Sequence, residues 1–367
     1  MLVNCNCKLC CIGNLPGKES HLFSEMLIKE TVNAPGRANV KGKNYELLFT
    51  ISGSFEKDLF LGRSATDEYK EMTNVEEIPD EIVEQLRSKQ NPLTDKNLVC
   101  AKCEDLFSPV ESKFKEIYDR ILKSSDNGDQ SFDITSEESE YVELFLLLNI
   151  WRVGASDKAY WKLDTTESQC LTELMFNTFN GSNHTNILER FKEAKKDYDC
   201  LEVVLFFSRE MKEDDSQIND NFIFCDNATN PYMLVVNRLL IFVSSKHFDS
   251  LSLPDIVNGE LTRSDLQKAH QDRHQNLKFI PADKLQNIHY SAFSKNLVSF
   301  SKRATNNYLE AYQDFFRMMP SEEHMTTVRE TILQYISSDY EYGITEKVLV
   351  KNLSVLLYNE AVRMRSN

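Results

Sequence analysis

Long uncharged apolar segments are missing from the sequence. The longest candidate, residues 144–150, is about a third of the roughly 18 residues that a membrane-spanning helix needs. The N-terminal segment MLVNCNCKLCC also lacks the basic region and the long apolar region of a secretory signal. We therefore predict a cytoplasmic protein that has no membrane partner.

Glycine and proline are also scarce, with 11 Gly and 9 Pro among 367 residues. This scarcity argues against a collagen-like or low-complexity chain. Hydrophobic residues make up 41% of the sequence, which is enough apolar material for a sizeable core and excludes a wholly disordered chain. Because domains usually contain roughly 100–200 residues, we expect more than one domain.

Positive charge is in deficit, with 42 Lys or Arg against 57 Asp or Glu and a formal net charge of -15. This balance argues against broad electrostatic attraction to nucleic acid, which depends on Lys and Arg. Residues 1–123 contain 17 basic against 20 acidic side chains, and the remaining residues contain 25 against 37. A nucleic-acid site is therefore expected in the nearly neutral N-terminal third or on a partner protein.

Cysteines are the most informative residues that are present. Six of the nine fall into two tight clusters, and the others, Cys170, Cys200 and Cys225, are isolated and are expected to be small buried residues. Two C-x2-C units can supply the four thiolates of a tetrahedral Zn²⁺ site. The sequence therefore predicts a structural zinc held by Cys7, Cys10, Cys100 and Cys103. Cys5 is an alternative ligand, although Cys7 and Cys10 form the better pair by spacing.

The rest of the chain indicates an α+β protein in two parts. A polar segment at 125–137 is the predicted boundary between an N-terminal module, residues 1–124, and a C-terminal domain, residues 138–367. We predict that this acidic domain is mostly helical, with a small antiparallel sheet formed by the β-rich runs between 200 and 245. Two further short strands are expected at 45–64, and the apolar helix around 140–152 should be buried.

Three segments together resemble the treble-clef zinc fold, of the ββα-metal type, in the HNH endonuclease superfamily. They are CKLC (7–10), ESHLF (19–23) and KNLVCAKCEDLF (96–107). The resemblance covers roughly residues 5–120, with a long insertion at about 31–95. In that family a first cysteine pair precedes a β-hairpin that carries a His, and an Asn lies shortly before the second pair.

The resemblance implies a nuclease site with one metal ion and one base. His21 matches the general base, Asn97 the residue that orients the loop of the base, and Glu104 the metal-binding position after the last cysteine. A catalytic Mg²⁺ or Mn²⁺ would accompany the structural zinc. An imidazole suits the base because it titrates near neutral pH, and a carboxylate is a good ligand for Mg²⁺.

Two positions depart from the family pattern. Ser20 precedes His21 where many active members have a metal-ligating Asp or His, and Glu104 replaces the final His. Glu104 is therefore either a metal ligand or a solvated residue favoured by the helix dipole. We predict an HNH-like nuclease that cuts DNA or, less readily, RNA, and that belongs to a bacterial anti-phage system. The alternative is a catalytically degenerate zinc-finger subunit that docks a protein partner.

Overall fold

A computed structural model of the protein describes most of the chain. The described residues are 7–12, 20–24, 26–27, 45–51, 54–61, 94–156, 163–199, 201–209, 222–226, 231–236, 238–245, 253, 257, 259–272, 275–337 and 346–366. Most of the predicted insertion at 31–95, together with Cys5, lies outside these residues. All structural statements below concern the described part of the chain.

The described residues form an α+β structure, as predicted. The helices are α1 (Ala101–Asp126), α2 (Ser136–Ala155), α3 (Thr165–Phe179), α4 (Ile187–Asp197), α5 (Arg263–Gln271), α6 (Ala282–Phe316), α7 (Glu322–Ser337) and α8 (Glu346–Ser366). The strands are β1 (Ser20–His21), β2 (Tyr45–Ile51), β3 (Ser54–Leu61), β4 (Thr94–Asp95), β5 (Ser131–Asp133), β6 (Glu202–Ser208), β7 (Phe222–Asp226), β8 (Tyr232–Val236), β9 (Leu239–Ser244) and β10 (Asn276–Ile280).

The central sheet is larger than the small antiparallel sheet that the sequence predicts. Its order is β3-β2-β7-β8-β9-β6-β10-β5. The four middle strands, β7-β8-β9-β6, are antiparallel and come from the predicted β-rich runs. The sheet is nevertheless mixed, because β2 pairs in parallel with β7 and β10 pairs in parallel with β6. Such long-range pairings depend on contacts between remote segments, which local sequence patterns do not report.

Both faces of this sheet are covered, as β6 demonstrates. Val203, Leu205 and Phe207 belong to one cluster of buried apolar residues, whereas Val204 and Phe206 belong to a second. Alternate residues of a strand point to opposite faces, so each cluster marks one face. Helices α1 and α2 contribute to the first cluster, and α5 and α6 contribute to the second. A third cluster joins α6, α7 and α8.

The first cluster extends across the predicted boundary at 125–137. It contains residues of both cysteine pairs, of α1, of α2 and of β6. At its centre the rings of Phe114 and Phe145 stack with centroids 3.7 Å apart. The segment at 125–137 itself carries the end of α1, strand β5 and the start of α2, so it is more structured than the polar linker that we expected. The division into two domains stays a prediction.

Helix α2 begins with a capping box at Thr135. The Thr135 hydroxyl accepts a hydrogen bond from the Glu138 backbone N–H at 3.2 Å, and the Glu138 carboxylate accepts one from the Thr135 N–H at 3.0 Å. These bonds satisfy backbone donors that have no partner within the helix. The box fixes where α2 starts, and α2 lies against the N-terminal module.

Replacing Thr135 with alanine should lower the free energy of unfolding by about 1 kcal/mol, because an N-cap hydroxyl is lost. Urea denaturation followed by circular dichroism would measure the change. Ser136→Ala is the matched control, since Ser136 is an exposed neighbour outside the box. Equal losses in the two variants would contradict the assignment of the cap.

None of the helices in the described ranges combines the length and the apolar content that a bilayer crossing needs.

Candidate metal centre and the polar site beside it

Two short backbone features bring the four predicted ligands together. The first cysteine pair lies in a turn in which the Cys11 N–H bonds the Cys7 carbonyl at 3.1 Å. The Lys8 N–H donates to the Leu98 carbonyl at 2.9 Å, which ties this turn to the segment before the second pair. Cys100 is the N-cap of α1 in extended conformation. Cys103 lies in the first turn of α1.

The four sulfur atoms form a compact cluster. The Cys7 and Cys103 Sγ atoms are 3.8 Å apart, as are those of Cys10 and Cys100, and all four ligand atoms lie within 4.8 Å of one another. A regular tetrahedron with Zn–S bonds of ~2.3 Å has S···S separations of about 3.8 Å. All four are free cysteines. The cluster could therefore bind a metal ion such as zinc.

Hydrogen bonds around Cys7 favour a thiolate there. The hydrogen bond with Cys103 lowers the pKa of Cys7 to about 4, against the effect of burial, and the Cys10 and Cys100 backbone N–H groups act in the same direction. These N–H groups lie 3.4 Å and 3.3 Å from the Cys7 sulfur. The hydrogen bond with Cys7 raises the pKa of Cys103. A set of four sulfur donors, three of them on buried cysteines, fits a structural Zn²⁺.

His21 lies on a short two-stranded sheet formed by β1 and β4. Strands β1 and β4 are antiparallel, with Ser20 opposite Asp95 and His21 opposite Thr94. The long insertion therefore lies between the two paired strands, rather than between a hairpin and the second cysteine pair as we expected. The predicted strands at 45–64 do form, but they pair with the central sheet.

Glu104 is held in place on two sides. The Ser20 hydroxyl donates to Glu104 Oε2 at 2.7 Å, and the Arg152 guanidinium lies 3.4 Å from Oε1. Burial raises the pKa of Glu104, and the charge of Arg152 and the Ser20 hydrogen bond oppose this rise. The charge of His21 also lowers this pKa, so the two predicted site residues lie within electrostatic reach of each other. Glu104 is partly buried rather than solvated.

Asn97, the third predicted site residue, lies in the turn between β4 and α1. Asn97 is exposed, and its backbone N–H donates a hydrogen bond to Asp95 Oδ1 at 2.8 Å. The structure therefore places His21 within electrostatic reach of Glu104, and it places Asn97 at the surface of the loop between β4 and the second cysteine pair.

The sequence patterns did not reveal that Arg152 of α2 is the ion-pair partner of Glu104. Arg152 is fully buried, bonds Glu111 Oε1 at 2.6 Å as well as approaching Glu104, and lies 4.6 Å from the centroid of the Phe107 ring. The sequence does contain one indication of this ion pair. Arg152 lies near the end of an almost wholly apolar helix, where an unpaired buried charge would be costly.

Other residues singled out in the sequence have different outcomes. Cys170, expected to be a small buried residue, is only partly buried and is disulfide-bonded, a pairing that spacing alone cannot reveal. Trp151 is part of the core, as expected for its apolar helix.

No known protein family matches this sequence, and neither any curated protein nor any solved structure does so.

Proposed function

We propose that the four cysteines hold a structural Zn²⁺ and that the module around them is an HNH-like, metal-dependent nuclease. The observation that supports this proposal is that the hydroxyl of Ser20, the neighbour of His21 on β1, bonds Glu104, which follows the last of the four clustered cysteines, and that His21 lies within electrostatic reach of Glu104. The fold thus brings the proposed base, His21, near the proposed metal-binding residue, Glu104, although the whole insertion separates them in the sequence.

His21 would act as the general base in this reaction. It would take a proton from a water molecule that attacks the phosphorus of a phosphodiester. Mg²⁺ or Mn²⁺, when bound, would stabilise the charge that develops on the phosphate. Glu104 would hold this ion, since its Oε1 is only weakly engaged by Arg152 at 3.4 Å and Mg²⁺ prefers carboxylate oxygens and water. Asn97 would orient the loop that precedes α1.

The second candidate is a structural zinc module in an interaction subunit. The observation that favours it is the pairing of Glu104 with Ser20 and with the buried Arg152. A cation beside this carboxylate would also lie close to the guanidinium charge, which opposes binding. In this case the acidic C-terminal part of the chain would dock a protein partner.

For both candidates we propose a cytoplasmic protein, and for the nuclease we propose a role in bacterial anti-phage defence. The nuclease would prefer DNA to RNA as its substrate. A partner protein would bring the nucleic acid to the chain, because the net charge of -15 opposes unaided binding.

His21→Ala should lower cleavage of nucleic acid by at least about 100-fold, since a general base contributes 10²–10⁴-fold to such rates. The measurement is cutting of plasmid, single-stranded DNA and RNA by the purified protein with Mg²⁺ or Mn²⁺. His184→Ala, at an exposed histidine in the connection between α3 and α4, should cut as the wild type does.

Metal-dependent cutting that survives in His21→Ala would refute the assignment of the base. A wild type that cuts none of the three substrates, with and without a lysate fraction that supplies a partner, would favour the interaction subunit.

A further inference from the structure

One face of α2 carries three polar residues that are almost completely buried. Asn149, Arg152 and Ser156 have relative exposures of 2%, 0% and 1%. Their spacing of three and four places them on the same side of the helix and its C-terminal end. The flanking residues of α2 are apolar and buried, so these three stand out as a polar stripe within the core.

Each residue of the polar stripe contacts a different part of the N-terminal module. Asn149 Oδ1 accepts a hydrogen bond from the Ser24 N–H at 2.7 Å. The Ser156 hydroxyl donates to Asp95 Oδ2 at 2.6 Å. Arg152 contacts α1 through its ion pairs with Glu104 and Glu111. The stripe therefore holds the chain just after β1, the strand β4 and the first turns of α1.

These three contacts hold segments that adjoin His21 in the sequence or in the β1–β4 pair. Ser24 follows His21 by three residues, Asp95 lies opposite its neighbour Ser20, and Glu104 lies within its electrostatic reach. The β1–β4 ladder has only two residue pairs, and so short a hairpin is not stable by itself. A zinc ion would fix the cysteine turn and the start of α1, but β1 and β4 need a further support.

We infer that the polar stripe of α2 positions His21 and Glu104 for the reaction, with Arg152 as the central positioning residue. This inference rests on the proposed nuclease function for its catalytic consequence. Its structural part, that α2 sets the place of the His21 hairpin, does not depend on cleavage.

The test compares variants of the full-length protein. Arg152→Met removes the ion pairs, Arg152→Lys keeps the charge without the planar fork, and Ser156→Ala removes the contact with Asp95. Glu143→Gln is the matched control, because Glu143 is on the same helix and pairs with Lys195 of α4 at 2.6 Å, away from the module. The readouts are zinc content, kcat and KM, and the imidazole NMR signal of His21, assigned by its absence in His21→Ala.

We expect Arg152→Met to keep its zinc, to shift the His21 signal, and to lose about 100-fold in kcat with little change in KM, since small displacements of reacting groups cost rates of this size. Arg152→Lys should recover part of the loss. Ser156→Ala should shift the same signal, and Glu143→Gln should change neither signal nor rate. If Arg152→Met does not fold, Ser156→Ala and Arg152→Lys decide the question by the same criteria.

An unshifted His21 signal in the variants of the stripe would overturn the inference, as would a loss of kcat no larger than that of Glu143→Gln. If the wild type cuts no substrate, the proposed nuclease function fails, and the His21 signal alone then decides whether α2 positions the hairpin.

Discussion

Replacing Cys7 with serine is expected to abolish zinc binding and to lower the stability of the protein by several kcal/mol. Structural zinc contributes about 10–16 kcal/mol to the folding of finger peptides, and the loss of one thiolate leaves an incomplete tetrahedron. Cys7 is fully buried and its sulfur accepts hydrogen bonds from two backbone N–H groups, so the substitution also disturbs these bonds. Cys7 is also part of the first cluster of buried apolar residues, so the substitution should destabilise the packing of α1 and α2.

Zinc content by elemental mass spectrometry and urea denaturation would check this prediction. Cys11→Ser is the matched control, because Cys11 is an exposed cysteine outside any disulfide bond, four residues away, and is not one of the four clustered ligands. The wild type and Cys11→Ser should each carry close to one equivalent of zinc. Less than about half an equivalent in the wild type would contradict the zinc site, and equal zinc content in Cys7→Ser would contradict the role of Cys7.

Phe114→Ala is expected to lower the free energy of unfolding by about 3–5 kcal/mol, the usual cost of removing a buried aromatic ring. Phe114 is fully buried on α1 and stacks on Phe145 of α2. It also lies against Tyr118, and the ring centroid of Tyr118 is 5.7 Å from that of Phe207 in the central sheet. A cavity at this point therefore affects the cysteine module, α2 and the sheet together.

The measurement is urea denaturation followed by tryptophan fluorescence, since Trp151 lies in the same cluster, and by circular dichroism. Phe315→Ala should change stability very little, because Phe315 is 68% exposed on α6. If residues 1–124 and 138–367 unfold separately, the two probes will give different midpoints in Phe114→Ala. A loss equal to that of Phe315→Ala would contradict the packing described for Phe114.

Local patterns predicted much of the secondary structure. The apolar run around 140–152 predicted α2, and the β-rich runs between 200 and 245 predicted β6, β7 and the hairpin of β8 and β9. These predictions succeeded because helix and strand periodicity are properties of adjacent residues. Strands β5 and β10 were missed, since β5 is a three-residue strand in a polar segment and β10 follows a helical pattern.

The sequence predicted one part of the candidate site and not the other, because sequence patterns report only on neighbouring residues. The cysteine ligands are visible because the C-x2-C spacing carries its own geometry. The environment of Glu104 is not visible, because Ser20 and Arg152 are distant in sequence and reach it only through the fold. The choice between a metal ligand and a solvated residue was therefore left open, and the structure shows a third arrangement in which the carboxylate is held by both neighbours.

Local sequence patterns sufficed to identify the four cysteines that can share a metal ion and several of the helices and strands. Only the tertiary structure decided that the hairpin closes around the insertion, that the central sheet is mixed, and that one face of α2 supports the edge on which His21 lies. Periodicity and motif spacing depend on neighbouring residues, whereas pairing and burial depend on contacts between segments more than 100 residues apart, such as Ser24 and Asn149.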